Sequence, residues 1–131
     1  MVSNIVLFVT FVVIFFPLDF IWLSTVGRHF YYKELAGILL PKPRLAVAGA
    51  FYVAYLVGLV VLVGSPAAGD LSKAFWLGAV FGFVCYGTLD LTNLAIVRGF
   101  TLRYVVVDVA WGTVLTAVTA VGGTWLTGLV G

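Results

Sequence analysis

Apolar residues fall in four long runs separated by three short polar stretches. A helix needs about 20 consecutive apolar residues to cross the hydrocarbon core of a bilayer. The runs therefore predict spanning helices over about residues 4–25, 44–64, 74–97 and 104–129. The first polar stretch, Val26–Leu40 (VGRHFYYKELAGILL), carries Arg28, His29, Lys33 and Glu34 and does not span. Its Tyr31, Leu35, Ile38 and Leu39 share one helical face, which predicts a short amphipathic helix in the headgroup region over about residues 27–40. Pro41-Lys42-Pro43 is expected to end it. Within the runs, Pro17 predicts a kink over Val13–Pro17, because it removes a backbone donor and crowds the preceding turn. Ala46, Ala50, Ala54 and Gly58 form one small-residue stripe, and Gly78, Gly82 and Gly87 offer further points of close helix approach.

Composition points the same way. Of the 131 residues, 63% are hydrophobic and 9% charged, against about 25% charged in a soluble domain. So little polar surface cannot cover a water-soluble fold of this size, and the solvent must be lipid. The fold class is all-α: one polytopic integral membrane domain over residues 1–131, with four transmembrane helices and one interfacial helix after the first. The first run lacks a basic leading segment and is read as a retained helix. The net charge of +2 is dispersed between runs and forms no basic patch, so no nucleic-acid partner is expected. Cys85 is the single cysteine, which excludes an internal disulfide and a cysteine metal site; it reads as a small core residue.

The loop charges give an orientation. Arg28, Lys33, Lys42 and Arg44 lie in the first loop, Arg98 and Arg103 in the third, and only Lys73 in the second. The positive-inside rule puts the first and third loops in the cytoplasm and both termini on the outer side.

Against this apolar background the acids stand out. In Tyr86–Arg98 (YGTLDLTNLAIVR), Tyr86, Asp90 and Asn93 are spaced i, i+4, i+7 and share a face. The first span carries Asp19 with Trp22 at i+3, and the fourth carries Asp108 with Trp111 at i+3. Counted from the basic loops at about 1.5 Å per residue, Asp19 and Asp90 lie roughly 12–14 Å deep and Asp108 roughly 7 Å. All three acids thus fall in the cytoplasmic half. Ionisable side chains facing lipid are costly, so the three should converge inside the bundle. The candidate ligand- or proton-binding residues are Asp19, Trp22, Tyr86, Asp90, Asn93, Asp108 and Trp111. The candidate counter-charges are Arg28, Arg44, Arg98 and Arg103, whose long stems can fold in from the rim. A static polar network that holds the helices together fits the pattern as well as a ligand site does. Leu18–Leu23 (LDFIWL) echoes Leu89–Leu94 (LDLTNL) at matching depth in helices of one direction, the pattern of a tandem repeat.

Three function classes fit. Buried carboxylates at a helix interface suit small-molecule, ion or proton-coupled transport, or ligand binding. Aromatic residues and the interfacial helix suit a lipid-binding or accessory assembly protein, with membrane lipids, a second copy or a larger membrane complex as partners. A lipid-modifying enzyme is the weakest of the three. No H-E-x-x-H, serine nucleophile elbow or aspartate-rich metal box occurs, so no catalytic or metal residue is assigned and the cofactor stays unspecified.

Four stretches also carry a resemblance: DFIWL (Asp19–Leu23), GAFYVAY (Gly49–Tyr55), YGTLDLTNLA (Tyr86–Ala95) and DVAWGT (Asp108–Thr113). Together they resemble domain-of-unknown-function family 2177, small bacterial membrane proteins, over nearly the whole chain. The resemblance implies a four-helix integral protein of a bacterial inner membrane and no established activity, so it carries over no catalytic residue. Leu89 departs from the pattern, which has an aromatic before the aspartate.

Overall fold

A computed structural model describes residues 2–35, 37–38 and 44–130. Among these the chain is helical and without strands: α1 (Val2–Ser24), α2 (Val26–Glu34), α3 (Leu45–Ala67), α4 (Leu71–Ile96) and α5 (Leu102–Val130). Helices α1, α3, α4 and α5 are each long and apolar enough to cross a membrane. The expected Pro41–Pro43 break, Leu39 and the Arg28 side chain lie outside what the structure describes.

Element boundaries differ from the expected ones where local chemistry intervenes. Helix α1 begins at Val2, two residues before the expected start, and keeps Pro17 inside it. The interfacial helix stops at Glu34 rather than near residue 40. There the Leu35 N–H donates to the Tyr31 carbonyl, and the Ile38 N–H donates to the Leu35 carbonyl at 3.0 Å, a tighter turn beside the helix-weakening Gly37. Helix α3 widens into a π turn at Val60–Gly64 just before Pro66. Proline has no N–H and its ring crowds the carbonyl four residues back, and a wider turn relieves that contact. Asp70 caps α4 by accepting from the Lys73 N–H at 3.1 Å. Thr101 caps α5 by accepting from the Tyr104 N–H at 3.1 Å, and its hydroxyl donates to Glu34 Oε1 at 2.6 Å, which ties the end of α2 to the start of α5.

The bundle is built around α5, which packs on α4 most extensively and on α1 next. Lipid is as apolar as leucine, so close packing rather than water exclusion holds such helices together. Small residues make that packing possible. A Cβ at Gly78 would lie 2.7 Å from the Ala120 Cβ, and one at Gly82 would lie 2.7 Å from the Gly112 carbonyl oxygen. Phe11 of α1 lies so close over Gly123 that a Cβ there would meet its ring at 2.2 Å. Gly87 differs: its nearest neighbour would be Leu91 Cδ1 at 3.9 Å, an ordinary contact and no close approach. Ala46, Ala50 and Ala54 are exposed, so that part of the stripe faces outward, whereas Gly58, its last member, packs beside α4, where a Cβ would lie 3.4 Å from the Phe81 ring.

Phe11, Phe15, Leu56, Leu59 and Leu115 fill the middle of the bundle and are fully buried. Helix α3 approaches α4 mainly through Val60–Gly64, the end remote from Arg44. Toward the other end, where α2 and the basic loops lie, the two helices diverge and leave a gap.

Candidate functional site

That gap is a cavity of about 700 Å³ reaching from α3 and α4 inward to α1 and α5. Its mouth is formed by Val47 and Phe51 of α3 and Leu89 of α4, which are 67%, 62% and 60% exposed. These residues face hydrocarbon in a spanning bundle, so the opening is lateral, between α3 and α4. Aromatic side chains make up most of the inner wall, including Tyr31, Tyr52, Tyr55, Tyr86, Tyr104 and Trp111. Cys85 also reaches this wall at the edge of the core.

The inner end of the cavity carries two carboxyls, Asp19 and Asp108. Each is buried and each is held by aromatic donors. Asp19 Oδ2 accepts from the Tyr52 hydroxyl at 3.1 Å, and its Oδ1 accepts from Trp111 Nε1–H at 3.2 Å. Asp108 Oδ1 accepts from the Tyr31 hydroxyl at 2.7 Å, and that hydroxyl accepts from Trp22 Nε1–H at 2.9 Å. The two indoles stack face to face, with centroids 4.4 Å apart and planes inclined by 7°. One unit therefore links α1, α2, α3 and α5: two carboxylates, two tyrosines and a tryptophan pair. Deeper in the bundle, the Tyr55 and Thr116 hydroxyls pair at 2.7 Å and close the floor.

Tyr31 reaches this unit from the interfacial helix. Burial and the adjacent Asp108 carboxylate both push its phenol above the ordinary tyrosine range, so it stays a neutral donor. The position explains why α2 lies where it does. Tyr31, Glu34 and the buried Leu35 all attach it to the bundle.

Of the residues singled out from sequence, Asp19, Tyr86, Asp108 and Trp111 line the cavity. Trp22 stands behind Trp111 and acts through Tyr31. Asp90 is fully buried on the α4 face that packs against α5, and no donor reaches either carboxyl oxygen among the described residues. Asn93 is half-buried and does not line the cavity. Three of the four candidate arginines are not brought in, and the side chain of the fourth, Arg28, lies outside the described residues. Arg44, Arg98 and Arg103 are exposed, and no basic side chain lines the cavity among the described residues. The donors on Asp19 and Asp108 come from tyrosine and tryptophan, which reach the carboxyls at membrane depth without carrying a charge into it.

Tyr31, Tyr52, Tyr55 and Tyr104 were not among the site candidates. The available signal was chemical: a tyrosine hydroxyl at membrane depth needs a partner, and acids there need donors. The two halves of the sequence echo also part company, since both Asp19 oxygens accept hydrogen bonds and, among the described residues, neither Asp90 oxygen does. No group of three His, Cys, Asp or Glu side chains among the described residues is arranged to hold a metal ion.

Neither a curated protein nor a solved structure matches the chain. A family model described as "Predicted membrane protein (DUF2177)" matches residues 4–125. That match takes in most of each membrane-crossing helix and every residue of the carboxylate unit, and the chain belongs to this family of integral membrane proteins.

Proposed function

We infer that the chain binds an organic cation, with an alkylated ammonium head and an apolar body, taken laterally from the bilayer. The observation that carries this reading is the cavity of about 700 Å³ whose inner end holds Asp19 and Asp108 and whose wall is aromatic. Aromatic faces attract alkylammonium groups through their quadrupoles, and a desolvated pairing of this kind contributes about 2 kcal/mol. The carboxylates supply the opposite charge, and each oxygen keeps acceptor capacity beyond the bonds it makes. The lateral mouth admits a molecule that partitions into lipid. By the positive-inside bias the site belongs to the cytoplasmic half, in a bacterial inner membrane. Binding is the first step of transport, and the same site serves either role.

The test uses the full chain in phosphatidylglycerol nanodiscs, with decyltrimethylammonium as the probe and decanol as its neutral counterpart. Binding is read by tryptophan fluorescence and by protection of Cys85 from N-ethylmaleimide. Saturable binding of the cation, with at least about tenfold weakening in Asp19→Asn or Asp108→Asn, supports the reading; tenfold corresponds to 1.4 kcal/mol. Equal binding of decanol, or no saturable binding of the cation, refutes it. Replacing part of the lipid with phosphatidylcholine separates two sources of the same headgroup. Competition by that lipid identifies a lipid ligand, and its absence identifies a free amphiphile.

A second reading has its own observation. The exposed stripe of Ala46, Ala50 and Ala54 on α3 suits docking on another helix. Disulfide cross-linking of an Ala50→Cys variant made in a Cys85→Ser background tests it.

A further inference from the structure

Helices α4 and α5 run antiparallel in one register. Gly78 meets Ala120, Gly82 meets Thr116, and Tyr86 meets Gly112. Each step moves four residues forward on α4 and four back on α5. The next step brings Asp90 opposite Asp108. Asp90 is 0% exposed, and neither of its oxygens receives a hydrogen bond among the described residues. Asp108 turns its other side to the cavity, where Tyr31 donates to Oδ1.

Among the described residues the surroundings supply no compensating charge. From α5, Tyr104 lies one turn from Asp108 on the same helix face and lines the cavity with it. From α2, the Tyr31 hydroxyl is engaged on Asp108, and from α3 the Tyr52 hydroxyl is engaged on Asp19. From α1, Asp19 adds a further acid, itself held by Trp111 of α5. Tyr86 lies one turn away on α4, packed over Gly112. Two carboxylates cannot face each other in such a site without a donor. A single proton between them turns the repulsion into a short O–H···O bond and satisfies the buried Asp90.

We propose that Asp90 and Asp108 share one proton and that an organic cation binding on the cavity side of Asp108 displaces it, coupling cation binding to the release of one proton. The inference rests on the reading of the cavity as a cation site and adds its exchange partner. The step balances. The carboxyl O–H bond breaks, its electron pair stays on the carboxylate, and the proton passes by way of Asp108 to water. The cation's charge replaces the proton's, so the net charge of the site is unchanged and nothing is oxidised or reduced. Asp108 is the shared element, because it faces both the cavity and Asp90. Asp90 is the proton store, because it lies behind Asp108 and does not line the cavity.

The test is a titration of the full chain in weakly buffered phosphatidylglycerol nanodiscs with decyltrimethylammonium. Fluorescence reports binding and a pH dye reports protons. The expected wild-type result is one proton released per cation bound, and a Kd that falls about tenfold per pH unit while the pair is protonated. Asp90→Asn is expected to bind the cation with no proton release and a flat pH profile. If that variant fails to fold, infrared difference spectra of the wild-type protein decide. Loss of a protonated-carboxyl C=O band on binding supports the proposal, and an unchanged carboxyl region overturns it. Saturable, pH-independent cation binding without proton release overturns the proton exchange and leaves the cation site standing. Absence of binding overturns both.

Discussion

Alanine at Gly82 should weaken the α4–α5 contact, while alanine at Gly87, five residues along the same helix, should not. A Cβ at Gly82 would lie 2.7 Å from the Gly112 carbonyl oxygen and 2.8 Å from both the Cβ and the hydroxyl of Thr116. Carbon contacts settle at about 3.5 Å, so the helices must part by roughly 0.7 Å. One obstacle is backbone and the other a β-branched side chain held in place, so neither yields by rotation. A radial gap of that size forfeits a quarter or more of the dispersion energy of the atoms it separates. Overpacking of this kind costs about 1–3 kcal/mol, and the largest helix interface of the bundle places Gly82 at the upper end. Alanine returns up to about 1 kcal/mol in helix propensity. The net expectation for Gly82→Ala is a loss of about 1–2 kcal/mol. At Gly87 the same propensity gain acts with Leu91 Cδ1 at 3.9 Å and no clash, so the variant should be neutral or gain up to about 1 kcal/mol. The assay is reversible unfolding in mixed micelles followed by tryptophan fluorescence, with each variant compared to wild type. Equal stability of the two variants within about 0.5 kcal/mol would refute the assignment of Gly82 to the interface and, with it, the register that pairs Asp90 with Asp108.

Further expectations follow from individual contacts. Tyr31→Phe removes the donor to Asp108 and should cost about 1.5–3 kcal/mol, with faster hydrogen exchange across Val26–Glu34. The folded Tyr31 phenol is raised above its ordinary value of 10.0, so the unfolded chain loses that proton first and stability should fall as pH rises past about 10; the fall should be shallower in Tyr31→Phe. Asp70→Ala removes the cap on the Lys73 N–H and should cost about 1 kcal/mol in the same unfolding assay, with Asp70→Asn close to wild type. Ala68 sits at φ 51°, a left-handed conformation that disfavours a side chain, and Ala68→Gly should stabilise by about 1 kcal/mol. An unchanged or lower stability there would contradict that backbone assignment.

Much of the architecture follows from the linear order of residues. Run length and the scarcity of charge determine four spanning helices, because backbone groups in lipid must be satisfied within the helix itself. The short helix after the first span was legible for a similar reason, since Arg28, His29, Lys33 and Glu34 cannot enter hydrocarbon. Helical spacing also put Gly78 and Gly82 on one face, where close packing needs small residues. Distances across the bundle were not legible in the same way. Tyr31 and Asp108 are 77 residues apart, and Tyr52 and Asp19 are 33 apart. Their meeting depends on how α2 and α3 lean on the bundle, which local periodicity does not encode. For the same reason charge alone pointed to arginines as partners for the acids. The aromatic donors already lie at the right depth, whereas Arg44, Arg98 and Arg103 remain at the exposed rim. The small-residue stripe of α3 shows the same limit from the other side: spacing predicts that a helix can approach, and only the packing decides that α4 meets it at Gly58 while Ala46, Ala50 and Ala54 stay exposed. The cavity is the last such feature. It exists because α3 meets α4 at one end and diverges at the other, a property of two helices together and of neither alone.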